Sequence, residues 1–312
     1  MSLQIYEEEA RKLNNILFEE ENISLKEKTL IEIIKKYDLK QRLLLRICYN
    51  KIFPDNNLIT DFSSKLSGQF AILIINLFMT RIDIECIEFK KIFDGVNPNK
   101  NIILESLSIN PFWFNQKVAR RFFELYKKDL KTEIMKHFHD FTKDILITCL
   151  NTKRNDNEKN IDDDEIEEKV KLALNTSPEE LIKNNEILIN IFGVPSPKEL
   201  ILISKKFKEK KGEHFLKYLE NKLKEDEYLV IKEVIYNICR PSENFAYKLK
   251  NSIKGVEVNV ESINRILVMR NEVDINEIKK FYNKINGKDL PEEISDIFTG
   301  GYKELILYLY NK

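Results

Sequence analysis

Hydrophobic residues recur along the chain at the three- and four-residue spacing of an α-helix, in short segments. Ile278, Phe281, Tyr282 and Ile285 are typical, because they share one helical face and polar residues separate them. Several segments begin with a residue that caps free backbone donors, followed by Gln or Glu three residues later or by Pro. Such starts occur at Asp38-Leu39-Lys40-Gln41, Asn110-Pro111, Ser196-Pro197-Lys198-Glu199 and Asp274-Ile275-Asn276-Glu277. The pattern predicts an all-α chain with four similar units.

The segments around each start also repeat. A short apolar helix is predicted before the start, and a short helix and then a strongly apolar helix after it, so that each unit has about five short helices. The triplet Lys-Asp-Leu occurs at residues 128–130 and again at 288–290, at the same place in the second and fourth units. This period is longer than that of the common two-helix solenoids. The predicted units are 1–80, 81–152, 164–240 (the most diverged) and 241–312, with an acidic linker at 153–163.

Composition agrees with a helical protein that has no nucleic-acid partner. The 312 residues include only 8 Gly and 8 Pro, and 43% are hydrophobic. Lys and Arg together number 51, as do Asp and Glu, so no net charge draws the chain to nucleic acid. The longest apolar run, Ala71 to Met79, is far shorter than the roughly 20 residues of a membrane span. We therefore expect a soluble protein without a transmembrane segment.

The four cysteines are scattered among apolar neighbours and never form a Cys-x-x-Cys pair. We interpret Cys48, Cys86, Cys149 and Cys239 as reduced core residues of a cytoplasmic protein, with disulfides or metal binding as the minority interpretation. Phosphate-binding glycine loops, HExxH and nucleophile elbows are absent, so we do not expect an enzyme.

Four repeats of about five helices resemble the annexin family. The resemblance covers nearly the whole chain and is strongest from Lys254 to Leu309. It is carried by the Lys254-Gly255 loop, Arg270, Lys288-Asp289-Leu290 and Thr299-Gly300, with Leu66 to Phe70 in repeat I and Asp94-Gly95 in repeat II. The resemblance implies a curved disc of helices. It also implies that the loops between the first and second helices, and between the fourth and fifth, bind calcium on a convex face and bridge it to acidic phospholipids.

The calcium pattern of the family is incomplete in every repeat. That pattern is Gly-x-Gly-Thr in the first loop and an Asp or Glu about forty residues later, which together supply carbonyl and carboxylate oxygens. The carboxylate position holds Lys65 (or Ser64) in repeat I, His137 in repeat II and Ile297 in repeat IV. Repeat III has Leu181-Ile182-Lys183 where the loop motif belongs. We expect no required cofactor and calcium only at low affinity, with Glu257 and Asp296 as the best remaining pair.

Lysines in these loops suggest direct contact with anionic lipid. The lipid-facing candidates are Lys26, Lys28, Lys65, Gly95, Lys100, Lys254 and Gly255. The alternative is that lysine is simply abundant and these are solvated faces. His137 and His139 are unconvincing metal ligands; they are candidates for a pH switch, or else ordinary surface histidines.

The leading hypothesis is an annexin-like cytoplasmic protein, peripherally attached to membranes. It would bind anionic phospholipids with a calcium dependence that is weakened or lost. The alternative is a calcium-independent scaffold with the annexin fold that binds protein or cytoskeletal partners. The aromatic cluster Phe112-Trp113-Phe114 is mainly core or partly an interaction patch.

Overall fold

The computed structural model describes residues 3–97, 99–153, 161–177, 180, 187, 189–193, 195–254 and 256–312. These residues form α-helices, one π-helical turn and loops, and no strand occurs in any of those ranges. The prediction of an all-α chain is therefore confirmed.

We assign the helices to the four repeats by their order along the chain. Repeat I contains α1 (Leu3–Phe18), α2 (Ile23–Lys36), α3 (Leu39–Ile52), α4 (Leu58–Lys65) and α5 (Gly68–Leu77). Repeat II contains α6 (Arg81–Phe93), α7 (Asn101–Ile109), α8 (Phe112–Tyr126), α9 (Leu130–His137) and α10 (Asp140–Asn151). Repeat III contains α11 (Asp163–Asn175), the π-helical turn Ile189–Gly193, α12 (Pro197–Lys211), α13 (Phe215–Glu220) and α14 (Glu225–Cys239). Repeat IV contains α15 (Pro241–Lys254), α16 (Val260–Arg270), α17 (Ile275–Asn286), α18 (Leu290–Ile297) and α19 (Gly300–Asn311).

Two of the predicted capping boxes form. At the start of α3, Gln41 N donates to Asp38 Oδ1 at 2.8 Å and Asp38 N donates to Gln41 Oε1 at 3.0 Å. At the start of α12, Ser196 and Glu199 make the same reciprocal pair. Both boxes satisfy backbone donors that a helix leaves free at its first turn.

The starts predicted at Asp274 and Asn110 are satisfied differently. Asp274 precedes α17 but makes no side-chain cap; its Oδ1 accepts from Arg270 Nε at 2.8 Å and its Oδ2 from Ser242 Oγ at 2.6 Å. The third capping box is therefore wrong, because an arginine one helical turn earlier takes the carboxylate. Asn110 instead closes α7, since its Nδ2 donates to the Ser106 carbonyl at 2.9 Å.

The chain divides into two compact units, residues 1–84 with 242–312 and residues 85–241. The first unit joins repeats I and IV, and the second joins repeats II and III. The sequence suggests that the linker 153–163 separates two pairs of consecutive repeats, but the structure places it inside the second unit. Its residues 154–160 lie outside the described residues. The physical reason is that α2 and α5 pack against α19 and α16, so both ends of the chain complete one core.

In the first unit, aromatic hydroxyls bind carboxylates at equivalent places in repeats I and IV. Tyr49 of α3 donates to Asp61 Oδ2 at 2.9 Å, and Tyr282 of α17 donates to Glu293. Both carboxylates are the fourth residue of the fourth helix of their repeat. The contact fixes the third helix to the fourth in both repeats.

Buried asparagines join helices in the second unit. Asn115 of α8 donates from Nδ2 to the carbonyls of Leu107 at 2.9 Å and Cys149 at 3.0 Å. Asn237 of α14 donates to Ser108 Oγ at 2.8 Å. A buried polar group without a partner destabilises the fold, so these bonds select one arrangement of the helices.

All four cysteines are free thiols. Cys48, Cys86 and Cys149 are buried and Cys239 is half-buried. Their placement agrees with the interpretation of reduced core residues.

The fifth helix begins with the same backbone turn in three repeats. Gly68, Asp140 and Gly300, the first residues of α5, α10 and α19, have φ of 65°, 48° and 65°. Glycine adopts this left-handed conformation freely, and Asp tolerates it better than most residues. The same backbone turn therefore recurs in three repeats although the surrounding side chains differ.

A close approach of repeat IV to repeat I generates the first prediction. Gly301 N donates to Glu27 Oε2 at 3.1 Å, and a Cβ at residue 301 would lie 2.7 Å from that oxygen and 2.8 Å from Glu27 Cβ. Gly301→Ala gains about 0.5–1 kcal/mol of helix propensity. It loses about 1–3 kcal/mol through overpacking. We therefore expect a net loss of about 1 kcal/mol in the free energy of unfolding, measured by urea denaturation.

Lys303→Ala is the control for this prediction. Residue 303 lies on the same helix, and its Nζ makes only a 3.5 Å contact with the Ser295 carbonyl. Its unfolding free energy is expected to stay within about 0.5 kcal/mol of the parent. A Gly301→Ala variant as stable as the parent would show that Glu27 does not restrict this approach.

Candidate functional site

The loop between the first and second helices of a repeat lies beside the turn between its fourth and fifth helices. We call each such pair a corner. Corner I comprises residues 18–28 and 64–68, corner II residues 94–97, 99–100 and 137–140, and corner IV residues 254, 256–259 and 296–300. Corners I and IV belong to the first unit and corner II to the second. The motif position Leu181–Lys183 of repeat III lies outside the described residues.

In corner II, Lys100 joins the two loops. Its Nζ donates to the His137 carbonyl at 3.0 Å and lies 5.5 Å from the centre of the Phe138 ring. The loop itself turns at Gly95, whose φ is 75°. Lysine thus contacts the segment where the family places its carboxylate.

The two histidines of corner II have different surroundings. The His137 ring is half-buried, packs 5.0 Å from the Phe93 ring, and donates from Nδ1 to the Glu133 carbonyl at 2.9 Å. His139 is exposed and precedes α10 as its cap residue without a side-chain cap bond. Only His139 therefore presents a freely solvated imidazole.

In corner I, the lysine that joins the two loops lies at the end of the fourth helix, whereas Lys100 of corner II lies in the first loop. Lys65 occupies the carboxylate position, and its Nζ lies over the Phe18 ring, 4.5 Å from the ring centre. Lys26 Nζ donates to the Leu17 carbonyl at 3.2 Å, and Lys28 is exposed. Corner I therefore carries three ammonium groups within or beside its loops.

In corner IV, the lysine is paired with a carboxylate. Lys254 Nζ lies 3.2 Å from Glu293 Oε1, and Glu293 Oε2 also accepts from Asn286 Nδ2 at 2.8 Å. Burial alone would raise the pKa of Glu293, but hydrogen bonds from Tyr282, Lys254 and Asn286 hold it below its ordinary value. The positive charge of Lys254 is therefore balanced locally. Gly255, the other lipid-facing candidate here, lies outside the described residues.

The calcium candidates of corner IV do not form a recognisable metal cluster. Glu257 and Asp296 are both exposed. Within the described ranges, no group of three or more His, Cys, Asp or Glu residues is arranged to hold a metal ion. Natural calcium sites use six to eight oxygens, several of them from carboxylates. Lys65, His137 and Ile297 supply no carboxylate, so the residues at the corners do not fit the ion.

Exposed apolar side chains at the corners were missed by the sequence reasoning. Val256 is fully exposed, and Val96 and Ile23 are each 72% exposed. They are the three most exposed large hydrophobic side chains of the described chain, and each lies in or beside the first loop of its repeat. The signal in the sequence was a lone β-branched residue in a polar loop. The sequence pattern alone does not distinguish an exposed residue of this kind from a buried one.

The aromatic cluster at the start of α8 is divided between core and surface. Phe114 is buried, whereas Trp113 is 58% exposed with Lys117 Nζ 5.0 Å from its ring centre. Phe123, ten residues further along the helix, is also exposed. Both parts of the expectation, core and surface, are therefore represented.

Comparison with known proteins agrees with the repeat architecture. A family model described as Annexin matches residues 244–309. Annexin A3 of Bos taurus is 25% identical over 290 residues, which cover 91% of this chain and 88% of that protein. Annexin-like protein RJ4 of Fragaria ananassa is 23% identical over 292 residues, covering 92% and 90%. The solved structure of annexin III superimposes with a TM-score of 0.89 at 20% identity, covering 100% of this chain and 94% of the other.

The chain is similar to annexins along nearly its whole length and has the annexin fold. The calcium-bound structure of alpha-14 giardin also shares this annexin fold, with a TM-score of 0.80 at 17% identity and coverage of 99% of both chains. The family in general suggests calcium-dependent binding to phospholipid. In this chain, the turns before the fifth helices of repeats I, II and IV share a positive φ at Gly68, Asp140 and Gly300.

Calcium titration by calorimetry tests the fit of the corners to the ion. We expect a dissociation constant of about 1 mM or weaker, at the weak end of natural calcium sites, because the carboxylate positions are lost. Glu257→Gln with Asp296→Asn is expected to remove any remaining heat of binding. Glu261→Gln, an exposed acid on α16, serves as the control and is expected to leave the titration unchanged. A constant near 10 μM or tighter would contradict this account.

Proposed function

We propose that this chain binds anionic phospholipid surfaces peripherally through its corners, with a calcium dependence that is weakened or lost. The observation that carries the proposal is the position of Ile23, Val96 and Val256. These side chains are the most exposed large hydrophobic groups described, and each has a lysine within its own corner. Apolar groups flanked by cations suit the boundary between lipid headgroups and acyl chains.

The magnitudes support reversible attachment. Complete burial of a valine or isoleucine side chain is worth about 1.5–3 kcal/mol, and a shallow insertion supplies part of that. Each lysine near an acidic surface adds about 1 kcal/mol. Several weak contributions of this size hold a protein at a membrane without anchoring it permanently. No helix in the described part of the chain is long and apolar enough to cross a bilayer.

The remaining assignments form part of the same proposal. The protein would act in the cytoplasm without a required cofactor and without catalysis, and its balanced charge gives no support for a nucleic-acid partner. His139, which is exposed in corner II, is the candidate for a pH switch, with the half-buried His137 beside it. The repeat boundaries proposed after residues 80, 152 and 240 fall between consecutive helices.

A scaffold for protein or cytoskeletal partners is the second candidate function. It is favoured by apolar side chains exposed on the third helices of repeats I and II rather than at the corners. They are Leu44 and Ile47 on α3, and Trp113 and Phe123 on α8. Exposed aromatic groups of this kind are frequent at protein interfaces.

Vesicle sedimentation tests the membrane proposal. The parent chain is expected to sediment with phosphatidylserine vesicles in chelator. The variant Ile23→Ser, Val96→Ser, Val256→Ser is expected to bind at least about tenfold more weakly, because three inserted side chains lose their apolar contact. Leu44→Ser with Ile47→Ser removes exposed apolar groups elsewhere and is the control. No sedimentation of the parent, with or without calcium, would discard the proposal.

Partner capture tests the scaffold alternative. Trp113→Ala with Phe123→Ala is expected to abolish a protein interaction that survives both chelator and detergent. The triple serine variant of the corners is expected to retain that interaction. If detergent releases every partner, the association runs through lipid and the scaffold function is excluded.

A further inference from the structure

Lysine side chains connect the two loops of a corner in repeats I and II. In corner II, Lys100 crosses from the first loop to His137; in corner I, Lys65 crosses from the end of α4 to Phe18. Lys254 of corner IV instead pairs with Glu293 on α18, outside the two loops. The loops are thus connected by a tethered cation, at the place where the sequence pattern of the family would put a divalent ion.

We infer that the ammonium groups of Lys65 and Lys100 replace the bridging metal ion, so that these two lysines engage lipid phosphate without calcium. The inference rests on the proposed function and deepens it, because it names the groups responsible for calcium independence. It concerns the chain's own lysines and can be tested without lipid.

Corner II shows the chemistry most directly. An ammonium group has three donors and no acceptor, so it binds a carbonyl oxygen as a metal ion would, although with one charge instead of two. Lys100 uses one donor on the His137 carbonyl and faces the Phe138 ring, which attracts cations. The side chain remains exposed. Its other donors are therefore accessible to phosphate oxygens.

Corners I and II differ from corner IV in the charge that they retain. No carboxylate among the described residues forms an ion pair with Lys65 or Lys100, whereas Lys254 is paired with the largely buried Glu293. Exposed unpaired lysines keep their full charge for a ligand, and a paired one does not. Lys65 and Lys100 are therefore the groups that should determine binding to anionic headgroups, and corner IV contributes chiefly Val256.

The same arrangement excludes calcium. The ion needs a carboxylate at the position that His137 occupies in corner II, and Lys100 places a competing ammonium on the His137 carbonyl. Restoring a site therefore requires two changes: removal of the lysine and addition of the acid. His137→Glu alone would leave Lys100 beside the new carboxylate as an ion pair.

Calcium calorimetry without lipid tests the replacement. Lys100→Gly with His137→Glu is expected to bind calcium at least tenfold more tightly than His137→Glu alone. Equal affinities in the two variants would overturn the inference, because the ammonium would then not compete for the ion position. Absence of binding in the double variant would overturn it as well. Circular dichroism and thermal melting establish that both variants are folded.

Vesicle binding in chelator tests the lipid contact. Lys65→Gln with Lys100→Gln is expected to weaken binding to phosphatidylserine vesicles about 25-fold, from about fivefold per lysine. Lys117→Gln is the matched control, because Lys117 also lies over an aromatic ring but on α8, away from the corners. A loss no larger than that of the control would overturn the inference.

The two measurements separate the inference from the function on which it rests. If the parent chain fails to bind phosphatidylserine vesicles, the proposed function fails, while the calorimetric comparison still decides whether lysine replaces the ion. Phosphatidylcholine vesicles complete the design. Undiminished binding to them would show that anionic headgroups are not what the lysines recognise, and would overturn the inference.

Discussion

The described helices of this chain depend on burial of their apolar faces against other helices. Described helices run from 6 to 16 residues, a range in which isolated helices are marginal at best in water. Contacts such as α1 with α3 and α2 with α19 supply the stability that the helices lack alone. The position of the corners follows from this constraint. Packing of helices within a repeat brings the end of its first helix beside the end of its fourth, although some forty or more residues separate them.

The repeated backbone is used for different side-chain chemistry in each repeat. The fourth residue of the fourth helix is an acid in repeats I, II and IV: Asp61, Glu133 and Glu293. Asp61 and Glu293 accept from a tyrosine of the third helix, whereas Glu133 pairs with Lys128 and Lys136 because Phe122 lies at the tyrosine position. The acid at this position thus has different partners in different repeats, which are a tyrosine hydroxyl, lysine ammonium groups or both.

A corner can carry positive charge to a membrane in two ways, through a bound calcium ion or through a lysine. A carboxylate with glycine-rich carbonyls attracts a divalent ion only when that ion is available, and so makes membrane contact conditional. A lysine supplies a weaker charge that is always present. The resemblance to annexins places the family's carboxylates at residues 65, 137 and 297, where this chain has Lys, His and Ile. In corners I and II a lysine contacts the opposite loop. The exposed side chains of Ile23, Val96 and Val256 add an apolar attraction that depends on neither calcium nor the lysine ammonium groups.

The sequence by itself determined what depends on neighbouring residues. Helix periodicity and the capping boxes at Asp38 and Ser196 involve groups only a few residues apart. The residues at the expected carboxylate positions are a matter of identity alone. These features can therefore be predicted from the sequence. The tertiary structure decided what depends on distant groups. In the folded chain, repeats I and IV form one compact unit. The Asp274 carboxylate accepts hydrogen bonds from Arg270 and Ser242 instead of capping a helix. Val96 and Val256 are exposed to solvent. Those outcomes were not predictable locally, because burial and pairing depend on which surfaces meet after the chain has folded.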